Sequence, residues 1–169
     1  MLRGNLTHRL LEVLPGLDDD AQARAIARIT APIVPSQLDA DLATMAIEET
    51  LTLLNDERLT DVFGQHARAE VPVSGMVGHH VVSGVIDRVV IGQDSITIVD
   101  FKTGQAPSSD AEIAPSYISQ LALYAHVLSQ IWQGRKIHAG LIFTENASIY
   151  WLDDARLDAS ISQLIAPAS

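Results

Sequence analysis

The chain of 169 residues carries a formal net charge of −10, with 47% hydrophobic residues and no cysteine. This length and hydrophobic content predict one folded domain, and the lack of cysteine excludes disulfides, thiolate zinc sites and cysteine-ligated iron–sulfur clusters. The acidic charge has the wrong sign for a protein that holds nucleic acid through charge alone.

The N-terminal stretch, MLRGNLTHRLLEVLPG, spreads charged residues among its apolar ones, so we do not expect a signal peptide. No apolar run in the sequence is long enough to cross a membrane. We therefore expect a cytoplasmic protein with no membrane partner.

Three helices are predicted in a helical N-terminal part over residues 1–54. Apolar spacing places them at 2–14, 21–30 and 37–54. A Pro-Gly pair ends the first helix and an acidic run caps the second. Pro32 and Pro35 break the chain before the third. The buried face of the third helix is indicated by Leu38, Leu42, Met45, Leu51 and Leu54.

Of the six histidines, three bear on a possible metal site. His8 lies in the first predicted helix, where a single histidine is most often an ordinary surface or core side chain. His79 and His80 are adjacent, and neighbouring strand residues point to opposite faces, so we do not expect them to share an ion.

A short first strand is predicted over 68–73, where Pro72 favours the edge of a sheet. Glu70 lies in this strand, either as a solvated residue or as an acid near a metal ligand. Residues 74–78 predict a turn.

The stretch 81–102 reads VVSGVIDRVVIGQDSITIVDFK, in which the polar break GQDS separates two apolar runs and predicts a hairpin. Closing the hairpin at this break pairs Ile91 with Ile96. The same register sets Asp87 opposite Asp100. A slip of one residue would move Asp87 to the other face of the sheet.

Facing aspartates inside apolar strands need a physical reason, because like charges about 4.5–5.5 Å apart destabilise a strand pair. A shared proton is one reason, and a bound divalent cation such as Mg²⁺ is another. Lys102 favours the cation, because it shares the face of Asp100 in an Asp-x-Lys arrangement. A single aspartate at a strand end is usually solvated, so the residues alone leave a metal site and an ordinary hairpin open.

The rest of the chain predicts a loop at 103–115, a helix at 115–132, strands at 136–144 and 148–152, and a helix at 154–165. The sheet core thus covers 67–152, and the strand–helix–strand unit predicts a right-handed crossover with parallel strands. Tyr117, Gln120 and Tyr124 share one helix face. They form either an ordinary polar edge or a strip facing a metal site.

An aspartate on the second strand, Asp-x-Lys on the third and Gln-x-x-x-Tyr on the following helix form one motif set. The matching segments are RGNLTHRLLEVLP, GVIDRVV, IVDFKTG and YISQLALYAHVL. Together they resemble the PD-(D/E)XK nuclease superfamily, more narrowly its RecB-type branch, and within that the C-terminal nuclease domains of AddA-type helicase–nuclease subunits. Cas4-like and AddB-like nucleases carry iron–sulfur clusters and therefore cysteines, which this chain lacks.

The resemblance implies an α/β fold, with a restriction-endonuclease-like core of a central mixed β-sheet flanked by helices, extra N-terminal helices, and one nuclease domain over 1–169. It also implies that His8, Asp87 and Asp100 bind Mg²⁺, for which Mn²⁺ can substitute. The backbone carbonyl of Phe101 is a further implied ligand. Lys102 is implied to orient the attacking water and to offset charge on the phosphate.

The same resemblance implies that Gln120 and Tyr124 position the site or the DNA strand, and that Glu70 is a further member of the site. The expected activity is metal-dependent hydrolysis of DNA phosphodiester bonds, within a helicase–nuclease that serves double-strand break repair by recombination. The expected partners are single-stranded DNA ends, the helicase domains of the parent chain and an AddB-like subunit, in a bacterial cytoplasm at the nucleoid.

Two alternatives remain from the sequence. One is a non-catalytic module that keeps the nuclease fold to dock DNA or protein, and the other is a metal-dependent hydrolase of a different phosphate ester. Because the charge is −10, we expect helicase neighbours to deliver the strand. The candidates for local phosphate contacts are Arg88, Lys102 and Arg135.

Overall fold

A computed structural model of the chain describes residues 1–32 and 36–165. The helices are α1 (Leu2–Val13), α2 (Asp19–Thr30), α3 (Gln37–Leu54), α4 (Pro115–Ile131) and α5 (Asp154–Ile165). The strands are β1 (Ala67–Val77), β2 (His80–Ile91), β3 (Ser95–Lys102), β4 (Lys136–Phe143) and β5 (Ser148–Leu152). Every helix and strand predicted from the sequence is present, while Pro35 lies outside the described residues. Among these described residues, no helix is long and apolar enough to span a membrane.

The described residues form two compact units, and the first contains residues from 1–65, 101–106 and 143–148. Its core begins with an apolar stripe on α1, which packs against α2 and α3. The buried members of this core are Leu6, Leu10, Leu14, Ala25, Ala43 and Ala46. Side-chain caps fix the starts of the other two helices, since Asp18 accepts from the Ala21 N–H and Ser36 accepts from the Asp39 N–H.

The predicted buried face of α3 was wrong in part, since Leu54 packs against the core as expected while two other members are exposed. Leu38 is 67% exposed and Met45 is 42% exposed, whereas Ala43, Ala46 and Leu53 are buried. Small alanine side chains let neighbouring helices pack closely, so α3 packs through them and leaves two of its large side chains in solvent.

The second unit contains residues from 66–100, 107–142 and 149–165. It holds most of a mixed five-stranded sheet with the strand order β1-β2-β3-β4-β5. The first three strands run antiparallel. The Lys136 N–H donates to the Asp94 carbonyl, and the Thr144 N–H donates to the Lys102 carbonyl, so β3 and β4 run parallel as predicted. A short connection joins β4 to its neighbour β5, which requires an antiparallel pair.

The first hairpin is longer than the sequence predicted. Strand β1 continues through 74–77, where we expected a turn, and pairs with β2 as far as Val77 opposite His80. The turn lies at Gly78-His79, where Gly78 adopts a positive φ of 59° that glycine tolerates without strain.

The central hairpin has the predicted register. Ile91 pairs with Ile96, and Val89 pairs with Ile98. The pairing of Arg88 with Val99 continues it and is the last pair of the ladder, so Asp87 and Asp100 each lie one position beyond it in their strands. The apolar runs on both sides of the polar break therefore align as the sequence indicated.

Candidate metal centre

A pair of carboxylates lies where β1 and β2 face each other. Ala69 pairs with Arg88 and Val71 with Ile86, so Glu70 lies opposite Asp87. Each of these acids offers one carboxylate oxygen, and the two oxygens lie within 4.8 Å of each other. Asp87 is half-buried and Glu70 is exposed. This arrangement brings two negative charges to one place on the sheet.

The backbone at Glu70 is strained. Its φ is +50°, in the left-handed region that residues with a side chain beyond Cβ seldom occupy. Strain of this kind costs about 1–3 kcal/mol and persists where the surrounding structure enforces it, often at functional sites. Here both neighbours of Glu70 are held in ladder pairs with β2, which fixes the direction of its side chain toward Asp87.

The third strand contributes the Asp-x-Lys pair. Asp100 is only 5% exposed, and Lys102 is half-buried at the end of β3. Residues two apart in a strand share one face, so both side chains lie on the face predicted from the sequence. A buried carboxylate requires compensating polar or positive groups, because desolvating an isolated charge is costly.

A buried network in the first unit holds the strand end that carries Lys102. Thr144 donates its backbone N–H to the Lys102 carbonyl and its hydroxyl to Glu49, the latter at 2.8 Å. Glu49 is buried, and its other carboxylate oxygen lies 3.5 Å from the Arg3 guanidinium. Arg3 also donates to Glu145 at 2.9 Å. Helices α1 and α3 are thereby tied to the ends of β3 and β4.

The position of His8 is set within the first unit. Its ring meets the ring of Phe101 edge to face, with centroids 6.2 Å apart, and Phe63 stacks on Phe101 at 6.1 Å. A Cβ added to Gly4 would lie 2.8 Å from the Thr103 hydroxyl oxygen, so α1 approaches the segment after β3 closely there. His8 is therefore fixed beside the residue that follows Asp100 in the chain.

Gln120 and Tyr124 are brought together on α4. The Gln120 side-chain nitrogen lies 3.4 Å from the Tyr124 hydroxyl oxygen, and Tyr124 is buried. The phenol packs on β2 at Gly84, where an added Cβ would overlap the hydroxyl oxygen and lie 2.8 Å from Cζ. Because strand side chains alternate, Gly84 presents this contact on the face opposite that of Asp87. The pair therefore supports the backbone of β2 from behind.

The adjacent pair His79 and His80 lies away from the carboxylates. His79 and His80 are exposed at the first hairpin turn. His80 precedes Asp87 by seven residues on β2, which is roughly 23 Å of extended strand.

Two of the candidates for phosphate contacts are largely or partly withdrawn from solvent. Arg88 is only 4% exposed, which does not suit a surface contact with DNA. Arg135 is half-buried and donates to the Gly92 carbonyl at 3.1 Å, which occupies part of its guanidinium in support of the β2–β3 turn. Lys102 remains a candidate for a phosphate contact.

The strained backbone of Glu70 was not apparent in the sequence. The only signal was an acidic residue in a short strand near Pro72, which could equally mark a solvated edge. Glu70 could be placed beside Asp87 only from the β1–β2 register, which could not be predicted from the sequence.

The sequence matches the PD-(D/E)XK nuclease superfamily over residues 2–163. The chain therefore belongs to the PD-(D/E)XK nuclease superfamily. No curated protein matches it significantly.

One solved structure shares the fold at low sequence identity, and a second match is weaker. A crystal structure of a "putative exonuclease" from Eubacterium rectale is 16% identical with a TM-score of 0.67, and the match covers 97% of this chain. This chain spans 62% of the length of that protein. The structure named SSO0001 is 18% identical with a TM-score of 0.39, over 99% of this chain and 88% of the other.

Proposed function

We propose that this chain is a Mg²⁺-dependent deoxyribonuclease domain of the AddA type, which hydrolyses phosphodiester bonds of single-stranded DNA. The observation that carries the proposal is the facing pair of carboxylates, Glu70 and Asp87, in a chain that belongs to a nuclease superfamily. Like charges brought together at a strained backbone are unfavourable by themselves, and a bound divalent cation offsets that cost.

The donor set fits a hard cation. Mg²⁺ and Mn²⁺ prefer oxygen ligands, and two oxygens that share one ion at about 2.0–2.6 Å are separated by no more than about 5 Å. The separation of the Glu70 and Asp87 oxygens, within 4.8 Å, meets this limit. Asp100 is proposed as the next oxygen ligand, because it lies one position beyond the Arg88–Val99 pair on β3, as Asp87 does on β2.

His8 and the Phe101 carbonyl are proposed to complete the ligand set. The support comes from chain continuity, since Phe101 directly follows Asp100 and its ring is in contact with His8. Carboxylate and carbonyl oxygens are the ligands that suit Mg²⁺ and Mn²⁺, so the oxygens carry most of the proposed binding and the imidazole adds one nitrogen to it. Glu70 joins this set as an acid whose strained backbone directs it to Asp87.

The other residues have roles that follow from their chemistry. A bound Mg²⁺ supplies Lewis-acid polarisation of a phosphate oxygen and lowers the pKa of water. Lys102 donates hydrogen bonds to the attacking water or to a phosphate oxygen, and its charge offsets that of the phosphate. Gln120 and Tyr124 act as positioning residues, because they brace β2 behind Asp87.

The acidic charge suits a domain that receives its substrate from neighbours. Counterion release by Lys and Arg supplies most non-specific DNA affinity, and this chain has 11 such residues against 21 acids. We therefore propose that helicase domains of a parent chain and an AddB-like subunit deliver DNA ends to it, in double-strand break repair in the bacterial cytoplasm.

Cleavage of labelled single-stranded DNA tests the proposal. The wild type should cut with Mg²⁺ or Mn²⁺ and should be inactive with EDTA, and Asp100→Asn should be inactive in both. His79→Ala is the matched control and should retain full activity, because His79 lies at the exposed first hairpin turn.

The same assay separates the alternatives. Metal-dependent DNA binding without cleavage would identify a non-catalytic module. Turnover of a small phosphodiester such as bis(p-nitrophenyl) phosphate, with no DNA cleavage, would identify a hydrolase of another phosphate ester. Either result would overturn the proposed deoxyribonuclease.

A further inference from the structure

The last strand of the sheet presents an exposed tryptophan. Trp151 is on β5, at the end of the strand order, and is 51% exposed. Its six-membered ring lies over Gly140 of β4, where an added Cβ would be 2.6 Å from Cζ3 and 2.7 Å from Cε3. Only a glycine leaves room for the indole to lie this close to the strand. One part of the ring is thus held against the sheet, and about half of the side chain faces solvent.

The indole forms one wall of a small cavity. The cavity has a volume of about 260 Å³ and is lined by Thr97, His138, Ala139, Trp151 and Leu152. The Lys136 N–H donates to the Asp94 carbonyl at one end of the β3–β4 pair, and the Thr144 N–H donates to the Lys102 carbonyl at the other. Both bonds join residues separated by the same number of positions, so one register holds along the pair and sets Thr97 beside His138. Thr97 is half-buried and His138 is exposed, and both carry groups that donate and accept hydrogen bonds.

We propose that this cavity is a stacking site for one nucleobase of single-stranded DNA, with Trp151 as the platform. The proposal rests on the proposed nuclease function for the identity of its ligand. A half-exposed indole that forms one wall of a cavity suits a base, because every base has a π-face and stacks regardless of sequence. The cavity is large enough for one base, and Thr97 and His138 border it where the polar edge of a base would lie.

The charge of the domain favours this occupant over a phosphate. With a net charge of −10, the protein gains little from long-range attraction to the DNA backbone. Stacking on an indole needs no positive charge and is little affected by salt. An acidic domain can therefore hold a strand through its bases, where a basic groove would hold it through phosphates.

The platform lies away from the proposed metal ligands on β3. Thr97 and Asp100 are three residues apart in one strand, so they face opposite sides of the sheet. The stacked base therefore belongs to a nucleotide several positions from the cleaved bond. Trp151 should influence DNA affinity and KM for long strands, while dinucleotide-sized substrates should not reach it.

Two tryptophans in the chain allow a direct fluorescence test. The Trp132→Phe variant retains Trp151 as its only tryptophan, and Trp132 is half-buried at the end of α4. Oligothymidylate should quench its fluorescence in Ca²⁺, which replaces Mg²⁺ to prevent cleavage. An oligomer of the same length built of abasic nucleotides should not. Equal quenching by both oligomers would overturn the platform.

Binding of the same oligothymidylate measures the contribution of the platform. Trp151→Ala should weaken binding roughly 5- to 150-fold, the range expected for the loss of one stacked base, and Trp151→Phe should restore most of it. Trp132→Phe should bind like the wild type. Unchanged affinity in a folded Trp151→Ala would overturn the proposal, and if that variant does not fold, the quenching experiment decides.

Failure of the platform is distinguishable from failure of the nuclease function. Cleavage of DNA by the wild type in Mg²⁺ tests the nuclease alone. Cleavage together with equal quenching of Trp151 fluorescence by both oligomers would overturn only the platform. Base-dependent quenching without cleavage in any metal would support the platform and overturn the nuclease.

Discussion

Replacing Glu70 with glycine should make the metal-free protein more stable, although it removes a proposed metal ligand. The left-handed conformation at φ +50° costs a residue with a Cβ about 1–2 kcal/mol, and glycine adopts it freely. Glycine in a strand loses about 0.5–1 kcal/mol to backbone entropy. Removing a like charge opposite Asp87 returns about 0.2–1 kcal/mol.

The sum is a gain of about 1 kcal/mol, which corresponds to a rise of about 2–4 °C in Tm for a protein of this size. Glu70→Gln is the matched control, because it removes the charge and keeps the strained backbone. It should gain only the smaller electrostatic part. Thermal melts in EDTA, followed by circular dichroism, measure both variants against the wild type.

Metal should reverse this order of stability. A ligand that binds only the folded state stabilises it by about 2.7 kcal/mol at a hundredfold excess over its Kd. In saturating Mn²⁺ the wild type should therefore melt above Glu70→Gly, which binds the ion more weakly. The reasoning is refuted if Glu70→Gly melts lower than the wild type in EDTA and if both proteins gain equally from Mn²⁺.

Three further substitutions test the supports of the site. Asp100→Asn should abolish cleavage while the metal-free Tm stays equal or rises slightly, and a large fall in Tm with activity retained would contradict its role. Gly84→Ala should cost about 1–3 kcal/mol of folding stability by forcing Tyr124 off β2. Chemical denaturation of Gly84→Ala, of Tyr124→Phe and of the double variant measures the coupling free energy between the two residues. That coupling should be found only if the two residues are in contact. Glu49→Ala should destabilise the protein more than Glu49→Gln, by roughly 1–3 kcal/mol, because alanine leaves the buried Thr144 hydroxyl without its acceptor. Equal urea midpoints for the two variants would contradict this.

The central hairpin could be predicted because its information is local. Two apolar runs surround one polar break, and the pairing of Ile91 with Ile96 then determines the rest of the register. The predicted placement of Asp87, Asp100 and Lys102 on one face follows from that register together with strand alternation. The helix bounds were equally accessible, since proline, glycine and capping residues mark them.

The first hairpin and α3 were harder because tertiary packing decided them. Residues 74–77 contain Ser and Gly, which favour a turn, but Gly75 is needed where the side chain of Val127 packs against β1. On α3 the large apolar residues suggested the buried face, while the helix packs through its alanines. In both cases the partner surface comes from a distant part of the chain.

Features that depend on two distant strands were not accessible from the sequence. The burial of Arg88, the strain at Glu70 and the packing of Trp151 over Gly140 each require the pairing of a particular neighbour. An isolated arginine, glutamate or tryptophan in an alternating strand has no local mark that distinguishes these environments. The register of the central hairpin and the order of the elements could therefore be predicted, while the contacts around the candidate site residues were found only in the structure.

Calorimetric titration of Mn²⁺ into the metal-free protein tests the central claim most directly. The account predicts saturable binding to the wild type, binding weakened at least tenfold by Asp87→Asn, and unchanged binding to His79→Ala, whose side chain lies in the exposed first hairpin turn. Equal Mn²⁺ affinity in the wild type and Asp87→Asn would contradict a metal centre built on the facing carboxylates of β1 and β2.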